Sequence, residues 1–597
     1  MRLGGLTGTT QLGAHCCPHS SLASQSRRQA SRRCKKIVLY ATESGVAQQQ
    51  AVSQGSSLAV AAARNVPAST SAADSAIEFA NAAVLEAGLQ RSERLKQCRS
   101  WQEVLRTAAA SANELTSPNI AVALKLLANM ARNGGRAAME GITSHPDFTL
   151  LLRRGLVVMY GCHNRDLANS LWSLAVLHHN DLPLMSVLTD QASRAVDTLN
   201  AKDLALITWS YATLRAPPGQ LLEALALAAM QKIDEFEPQG LSMLVHSFAM
   251  LEYNPGNLLS AVAQRMEDTL PAFNSQAVAN IMLAMGKLKF FSASLCAAVD
   301  QHVAQQISGY RPQEVCNLLW AFVTFAYVPV ETLAAFQAAQ LSHGADERLK
   351  GMDCASLIWA FASLGFQPQP ALIERLCEMA AGQMAFMKQQ ETCNMLWGLA
   401  VLGACEVPIF QMLAQSIIRA YSPRRPDARV LRQLFQARML AECSGVSLDL
   451  PEDMRQSAAT YWMQSVLANP MSTSHRNVAQ FMKRIRLAHV SKQPTKDGLL
   501  SIDLALQQTS DKPIAIQVTG PHETAVNTGE PLGQARSEKR LLEARGWTVV
   551  YLPTSRWPPK GSGTVKQAIL SQLLSPHGVV VPQHEEGDAE TGRATCE

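Results

Sequence analysis

One position recurs through the middle of this chain with a side chain that can hydrogen-bond or carry charge. It holds Arg165, Lys202, Gln239, Gln276, Gln313 and Gln390, and is broken only by Met352. Four residues further on, Asn169, Asn280, Asn317 and Asn394 form a second row. A carboxamide donates and accepts at once, and a guanidinium or ammonium neutralises phosphate. Such rows suit a polymer that presents base edges and phosphates at regular intervals. Each row also has a plainer explanation. The first row lies where a helix begins, and solvation of that helix end accounts for it as well. The second row varies little between copies, whereas a base reader should vary. The weightier reading there is an amide buried against the backbone of the adjacent hairpin.

The rows exist because the chain repeats. Ala168–Leu177, Ala205–Leu214, Ser242–Leu251, Ala279–Leu288, Cys316–Phe325, Ala355–Leu364 and Cys393–Leu402 share one order of large and small residues. Their central slot holds Trp172, Trp209, His246, Leu283, Trp320, Trp359 and Trp397, in steps of 37, 37, 37, 37, 39 and 38 residues. Weaker copies flank them, with Lys125 and Phe435 in the slot, as expected of units that end a stack. Each unit reads as two helices. The first carries small residues one and three places after the slot (Ser173 and Ala175, Ala360 and Ala362), so that a neighbouring helix can come close. An acid six places before the slot (Asp166, Asp203, Glu314, Asp353, Glu391) suits a helix N-terminus. Turns such as Pro217–Gly219 lead to a second, amphipathic helix, as in Leu221–Ile233 and Leu258–Leu270. A single hairpin cannot bury its apolar face, so the units must stack. The spacing predicts an all-α helical-hairpin solenoid, an α-α superhelix, over residues 74–450, with about eight repeats and end caps. Apolar neighbours on both sides predict that the tryptophan row is core.

Period and motif resemble the octotricopeptide repeat family over about residues 117–440. The resemblance implies binding of single-stranded RNA, unit by unit, in a chloroplast or mitochondrion.

After Pro451 the pattern changes. Residues 451–499 read as a helical connector with the basic run Lys483–Arg486. Strand-like stretches follow at Ser501–Leu506, Ile514–Val518 and Thr548–Leu552, with a helix at about Gln534–Arg545, which implies a small α/β unit at 500–575. Ile514–His522, Leu532–Gly533, Arg540–Leu542, Gly546–Pro553 and Trp557 resemble the RAP domain, a family thought to share the restriction-endonuclease-like core. Such nucleases hold a divalent metal between carboxylates on neighbouring strands. Asp503 can supply one. Where RAP domains commonly read Glu-Val-Asp, this chain reads Gln517-Val518-Thr519, and both acids are gone. Cleavage is therefore disfavoured, and Asp503 is expected to be a turn or cap residue. His522, Asn527, Arg536, Lys539 and Arg540 remain as candidates to grip phosphate, against simple solvation of that basic helix.

Composition limits the alternatives. Net charge is +5, and residues 1–60 hold seven Lys/Arg against Glu43, so the rest of the chain is close to neutral. That excludes a binder working by bulk charge and requires a local, selective surface. Residues 1–42 lack Asp and Glu and look like an organellar transit peptide, with the chloroplast favoured over the mitochondrion. Residues 43–73 read as disordered linker and 576–597 as an acidic disordered tail. Thirteen scattered cysteines without a C-x-x-C pair read as buried small hydrophobes in a reducing compartment. No span is long and apolar enough for a membrane. The pattern calls for no cofactor, no metal and no catalytic residue. The expected activity is non-enzymatic: single-stranded organellar RNA is held for stabilisation, processing, splicing or translation. A structural place in a ribonucleoprotein or ribosome is the alternative.

Overall fold

The computed structural model describes residues 85–342, 349–467, 471–506, 512–558, 560 and 562–583. The expected transit peptide and linker, and the tail beyond residue 583, lie outside the described residues. From Gly88 onward the chain forms one compact body.

Helix α1 (Trp101–Ala110) precedes the array. Then come pairs: α2 (Ser117–Thr143) with α3 (Pro146–Val158), α4 (Asn164–Val176) with α5 (Leu182–Ala195), and α6 (Ala201–Leu214) with α7 (Leu221–Gln231). They continue as α8 (Pro238–Met250) with α9 (Leu258–Thr269), α10 (Ser275–Lys287) with α11 (Ala293–Gln305), and α12 (Pro312–Thr324) with α13 (Val330–Leu341). The last are α14 (Gly351–Leu364) with α15 (Pro370–Ala381), α16 (Gln389–Leu402) with α17 (Pro408–Ala420), and α18 (Ala428–Cys443) with α19 (Glu452–Leu467). Helix α2 breaks at Gly135 (φ +67°), which explains why the step from Lys125 to Trp172 exceeds the others.

The even-numbered helices pack on one another in chain order, as do the odd-numbered ones, giving two layers. The even layer is the more closely packed of the two and is called the inner layer. Small residues make this possible. A Cβ on Gly398, one place after Trp397, would lie 3.0 Å from the carbonyl oxygen of Ile358 on α14. One on Gly286, three places after Leu283, would lie 3.1 Å from the Trp320 ring. Gly286 thus receives the slot residue of the next unit, and Gly398 the backbone of the preceding one.

Repetition extends to the backbone. His178, Arg215, Glu252, Lys289, Ala326, Gly365 and Gly403, each six places after its slot, adopt left-handed φ between +49° and +76°. There they close the inner helix with paired C-terminal hydrogen bonds, as from His178 N–H to Ala175 O and His179 N–H to Leu174 O. At the other end, Glu314, Asp353 and Glu391 accept the N–H of their own N-cap residues at 2.9, 3.0 and 2.9 Å, the role expected of acids there.

The C-terminal domain is a four-stranded sheet in the order β1 (Val490–Pro494), β2 (Ser501–Leu506), β3 (Ile514–Thr519), β4 (Thr548–Pro553). The first two pairings are antiparallel. The third is parallel, with α21 (Gly533–Glu543) in the crossover. Helix α20 (Thr473–Arg484) and α22 (Gly563–Leu574) cover one face through Val478, Phe481, Met482, Leu570 and Leu574. Residues 471–494 are therefore part of the domain and not a connector. Strand β1 escapes the sequence pattern because Val-Ser-Lys-Gln-Pro is a polar edge strand with no buried face. The domain also runs past residue 575, since Val579 and Val581 enter the same core and Gln567 Nε2 donates to Pro582 O at 3.0 Å. On the other face, Ala505, Ala515, Leu541, Leu542 and Val549 join the core of the array.

Of the cysteines singled out, Cys354 and Cys393 are buried and Cys316 is half-buried. Burial raises all three thiols, those of Cys354 and Cys393 to about 12.

Candidate nucleic-acid interface

An inner helix turns about 100° per residue, so positions seven and three before the slot, the slot itself and four after it fall within roughly 60° of arc. Past the first turn, α4, α8, α10, α14 and α16 are buried at every position outside this stripe. The stripe is what the inner layer shows to solvent. From α4 to α16 no Asp or Glu stands in it, while Arg165, Lys202 and Lys287 do. Of the acids one residue away, Glu314, Asp353 and Glu391 turn toward their own helix ends, while Asp166 and Asp203 lie within electrostatic reach of Arg165 and Lys202. A chain with little net charge thereby keeps one face free of anionic side chains.

Arg165, Lys202, Gln239, Gln276 and Gln313 are exposed, as is Met352 in the same row. Gln390 is half-buried and tied up, with Nε2 donating to Asn394 Oδ1 at 2.8 Å and to Gln433 Oε1 at 3.2 Å. Asn394 accepts from Gln433 as well, so the amides of α16 close on one another. Asn169 accepts from Lys125 Nζ at 3.1 Å. Asn280 and Asn317 are half-buried and make no bond to a neighbouring hairpin among the described residues, unlike the buried amide that their constancy suggested. Their carboxamides are open to a ligand.

The tryptophan row departs from its expected place in the core. Trp172, Trp209, Trp320 and Trp359 are half-buried on the stripe, and Trp397 alone is buried. Apolar neighbours in sequence misled here, because they face the core while the slot itself faces the groove. One of these rings, Trp320, lies against Gly286 in the small slot of the preceding unit.

The stripe also holds cations that inspection of one row at a time overlooks. Lys125 occupies the slot of α2 and Lys287 lies four after the slot of α10. Burial lowers the pKa of Lys125, and the charges of Arg165 and Lys202 lower it further, so these three cations share a neighbourhood. Burial likewise lowers Lys287. His246, in the slot of α8, is held neutral at about 4, first by burial and then by Lys287, and its Nδ1 has no partner.

The C-terminal domain meets the array at the other end of the inner helices. Helix α21 packs on α14, α16 and α18. Arg536 Nη1 donates to Gly365 O at 2.8 Å, and Arg540 Nη1 donates to Ala400 O and Val401 O at 3.2 and 2.9 Å. These are carbonyls at helix C-termini, where a cation is favoured. Asn527 accepts the N–H of Val328 at 3.1 Å and donates to its carbonyl at 2.9 Å. Val526 N–H donates to Ala326 O at 2.8 Å. Trp397 Nε1 donates to Gln436, whose amide donates to Gln534 and Ser537 of α21, and this cover explains the burial of Trp397. Asn527, Arg536 and Arg540 thus engage the array. His522 is exposed, and Lys539 lies 3.7 Å from Glu543 and 5.7 Å from the Tyr551 ring centre.

Asp503 is neither a turn nor a cap residue. It lies where the regular β2–β3 ladder stops, and side chains replace the missing rungs. Asp503 N–H donates to Gln517 Oε1 at 2.8 Å and Val518 N–H to Asp503 Oδ2 at 2.9 Å. Lys492 Nζ reaches Oδ1 at 2.8 Å from β1, where its backbone adopts φ +52°, and His475 Nε2 reaches Oδ2 at 3.0 Å. Burial alone would raise this carboxyl, but His475 and Lys492 outweigh it and hold it below the usual range. Both oxygens already have hydrogen-bond partners. Gln517, the residue standing where an acid was expected, completes the junction.

Two comparisons bear on these surfaces. A family described as RNA-editing substrate-binding complex 6 protein matches residues 163–330. A rice (Oryza sativa subsp. japonica) protein named RAP domain-containing protein, chloroplastic, is 26% identical over 171 residues, which cover 28% of this chain and 26% of the rice protein. The matched stretch therefore spans about a quarter of that relative. Among the described residues no helix is long and apolar enough to cross a membrane.

Proposed function

We propose that this protein binds single-stranded RNA along the inner stripe of its array, in a chloroplast, and acts by occupying a transcript segment rather than by cutting it. The observation that carries this reading is the acid-free stripe of amides, cations and half-exposed rings that recurs from α4 to α14. Phosphate favours a surface without carboxylates, and open carboxamides such as Asn280 and Asn317 offer directional bonds to base edges. The family match over residues 163–330 falls on α4 to α12, the units whose stripe the C-terminal domain leaves open, and supports the same surface. The name of the rice relative supports both the RAP resemblance of the C-terminal domain and the chloroplast. Unit period and motif favour the octotricopeptide type of repeat. Occupancy can protect a transcript, hold its structure open for processing or splicing, or present it to a ribosome. A non-catalytic C-terminal domain fits the state of Asp503, whose oxygens are held by Lys492, His475 and Val518.

Crosslinking in the organelle with sequencing of the bound RNA tests the proposal. One or a few transcripts should be recovered. Stoichiometric spread over ribosomal RNA would favour a structural role in the ribosome, and absence of recoverable RNA would overturn RNA binding. In vitro, replacing both Arg165 and Lys202 by Ala should weaken binding and reduce the salt dependence of log K by about 1.4 in slope.

A further inference from the structure

The slot row has one property that the RNA reading does not by itself require. Its tryptophans, Trp397 excepted, are half-buried on the stripe, and Trp320 is seated on Gly286. Trp172 and Trp209, with neutral His246 after them, stand in successive units α4, α6 and α8. Leu283 interrupts the row in α10, and Trp320 and Trp359 resume it in α12 and α14. These slot positions lie on the stripe, the side that the inner layer shows to solvent. Beside the first rings lie Lys125, Arg165 and Lys202, the cations nearest the start of the row. No carboxylate stands on the stripe itself, and those of Asp166 and Asp203, one residue off it, lie near enough to feel Arg165 and Lys202.

Deepening the RNA-binding reading, on which it rests, we infer that the tryptophan row is a set of stacking platforms: unpaired bases of the strand lie on Trp172, Trp209, Trp320 and Trp359. The adjoining cations take the phosphates, and the Leu283 unit is a gap where Gln276, Asn280 and Lys287 contact the strand through polar groups alone. Solenoids of helical repeats take one base per repeat, which matches one ring per unit. Stacking tolerates any base, since every base has a π-face, so the rings supply affinity and leave discrimination to the amides. The ligand implied is RNA whose bases are unpaired over the length of the array. A duplex hides the faces that the rings would take.

The protein contains its own folding control. Leu283 occupies the slot naturally, so Leu is compatible with this packing site. The converse change, Leu283→Trp, puts a ring in register with Ala249, as Trp209 stands in register with Ala175. The test uses the full chain and the pool of RNAs that it selects from random-sequence 16-mers. The substitutions are Trp209→Leu, Trp320→Leu, Trp209→Phe and Leu283→Trp, with binding read by fluorescence anisotropy. Each Trp→Leu change should weaken binding by roughly 5- to 100-fold, with the salt slope unchanged. Trp209→Phe should recover most of the loss at that position, and Leu283→Trp should tighten binding several-fold. If Trp209→Leu and Trp320→Leu bind as the wild type does while the Arg165/Lys202 double change weakens binding, the rings are only floor. The inference then fails and the RNA reading stands. If the wild-type chain selects no RNA, both fail.

Discussion

Gly533 begins α21 at the point where the C-terminal domain comes closest to the array. A Cβ there would sit 1.6 Å from the carbonyl oxygen of Ala362 and 2.7 Å from its carbon. Real contacts of this kind stay at or beyond ~3.0 Å, so Gly533→Ala must open the junction by about 1.4 Å. Neither side can yield locally. The Ala362 carbonyl belongs to the closing turn of α14 and accepts the Gly365 N–H at 3.2 Å. Helix α21 is held by fully buried Leu541 and by the arginine contacts at Gly365 and Val401. Overpacking commonly costs about 1–3 kcal/mol, and a clash of backbone on backbone belongs at or above the top of that range. Arg536 would also be drawn off Gly365, and a hydrogen bond to a charged group is worth about 1.5–3 kcal/mol. We therefore expect Gly533→Ala to destabilise docking by about 3 kcal/mol or more. Urea unfolding should change from one transition to two, with the C-terminal domain opening first. Amide exchange should quicken in α21 and at residues 400–404. Gly309→Ala, with nothing within 4 Å of its Cβ, is the matched control. If Gly533→Ala unfolds within about 0.5 kcal/mol of the wild type with unchanged exchange in α21, the docking geometry is wrong.

Two further outcomes follow from local chemistry. Lys289 is exposed and left-handed at φ +57°, a conformation that costs a residue with a Cβ roughly 1 kcal/mol. Lys289→Gly should raise stability by up to that amount in thermal unfolding, and a loss would refute the strain. Glu538 is pushed up to about 7 by burial, with Glu523 and Asp503 adding to it and a hydrogen bond from Gln534 opposing it. Its ordinary value is 4.5, so between these values the folded chain holds a proton that the unfolded chain has lost. This contribution to stability is full below pH 4.5 and falls as pH rises toward 7, by at most about 3 kcal/mol. Glu538→Gln should flatten the decline over that window, and an unchanged pH profile would exclude the assignment.

The array could be read from the sequence because each slot is set by its nearest neighbours. A small residue follows a large one where the adjacent helix must fit, as at Gly286 and Trp320, and the spacing preserves the record. Which side of a helix faces water was harder to read. An inner layer flanked by two packed neighbours exposes only a narrow stripe, so apolar residues beside Trp209 say little about Trp209 itself. The cations Lys125 and Lys287 stood in view, but in different rows, and only the wheel of the helix brings them together. The docking roles of Asn527, Arg536 and Arg540 depend on partners 96 to 199 residues away, a distance at which no local pattern speaks. The RAP resemblance had already singled out Gly533, and the contact with Ala362 now supplies the reason that position has no side chain.

That contact also limits how such a molecule can grow. A stacked array is lengthened by adding hairpins, and under the proposed function each added hairpin would extend the RNA footprint. Here the C-terminal domain grips α14, α16 and α18 through fixed backbone positions, from Gly365 to Ser444. A hairpin inserted among those units would part Gly533 from Ala362 or Arg540 from Val401. Hairpins inserted between α4 and α12 would disturb neither contact. The molecule is thus extensible at one end only, and under the proposed function its C-terminal domain would be the fixed origin from which the length of the bound strand is counted.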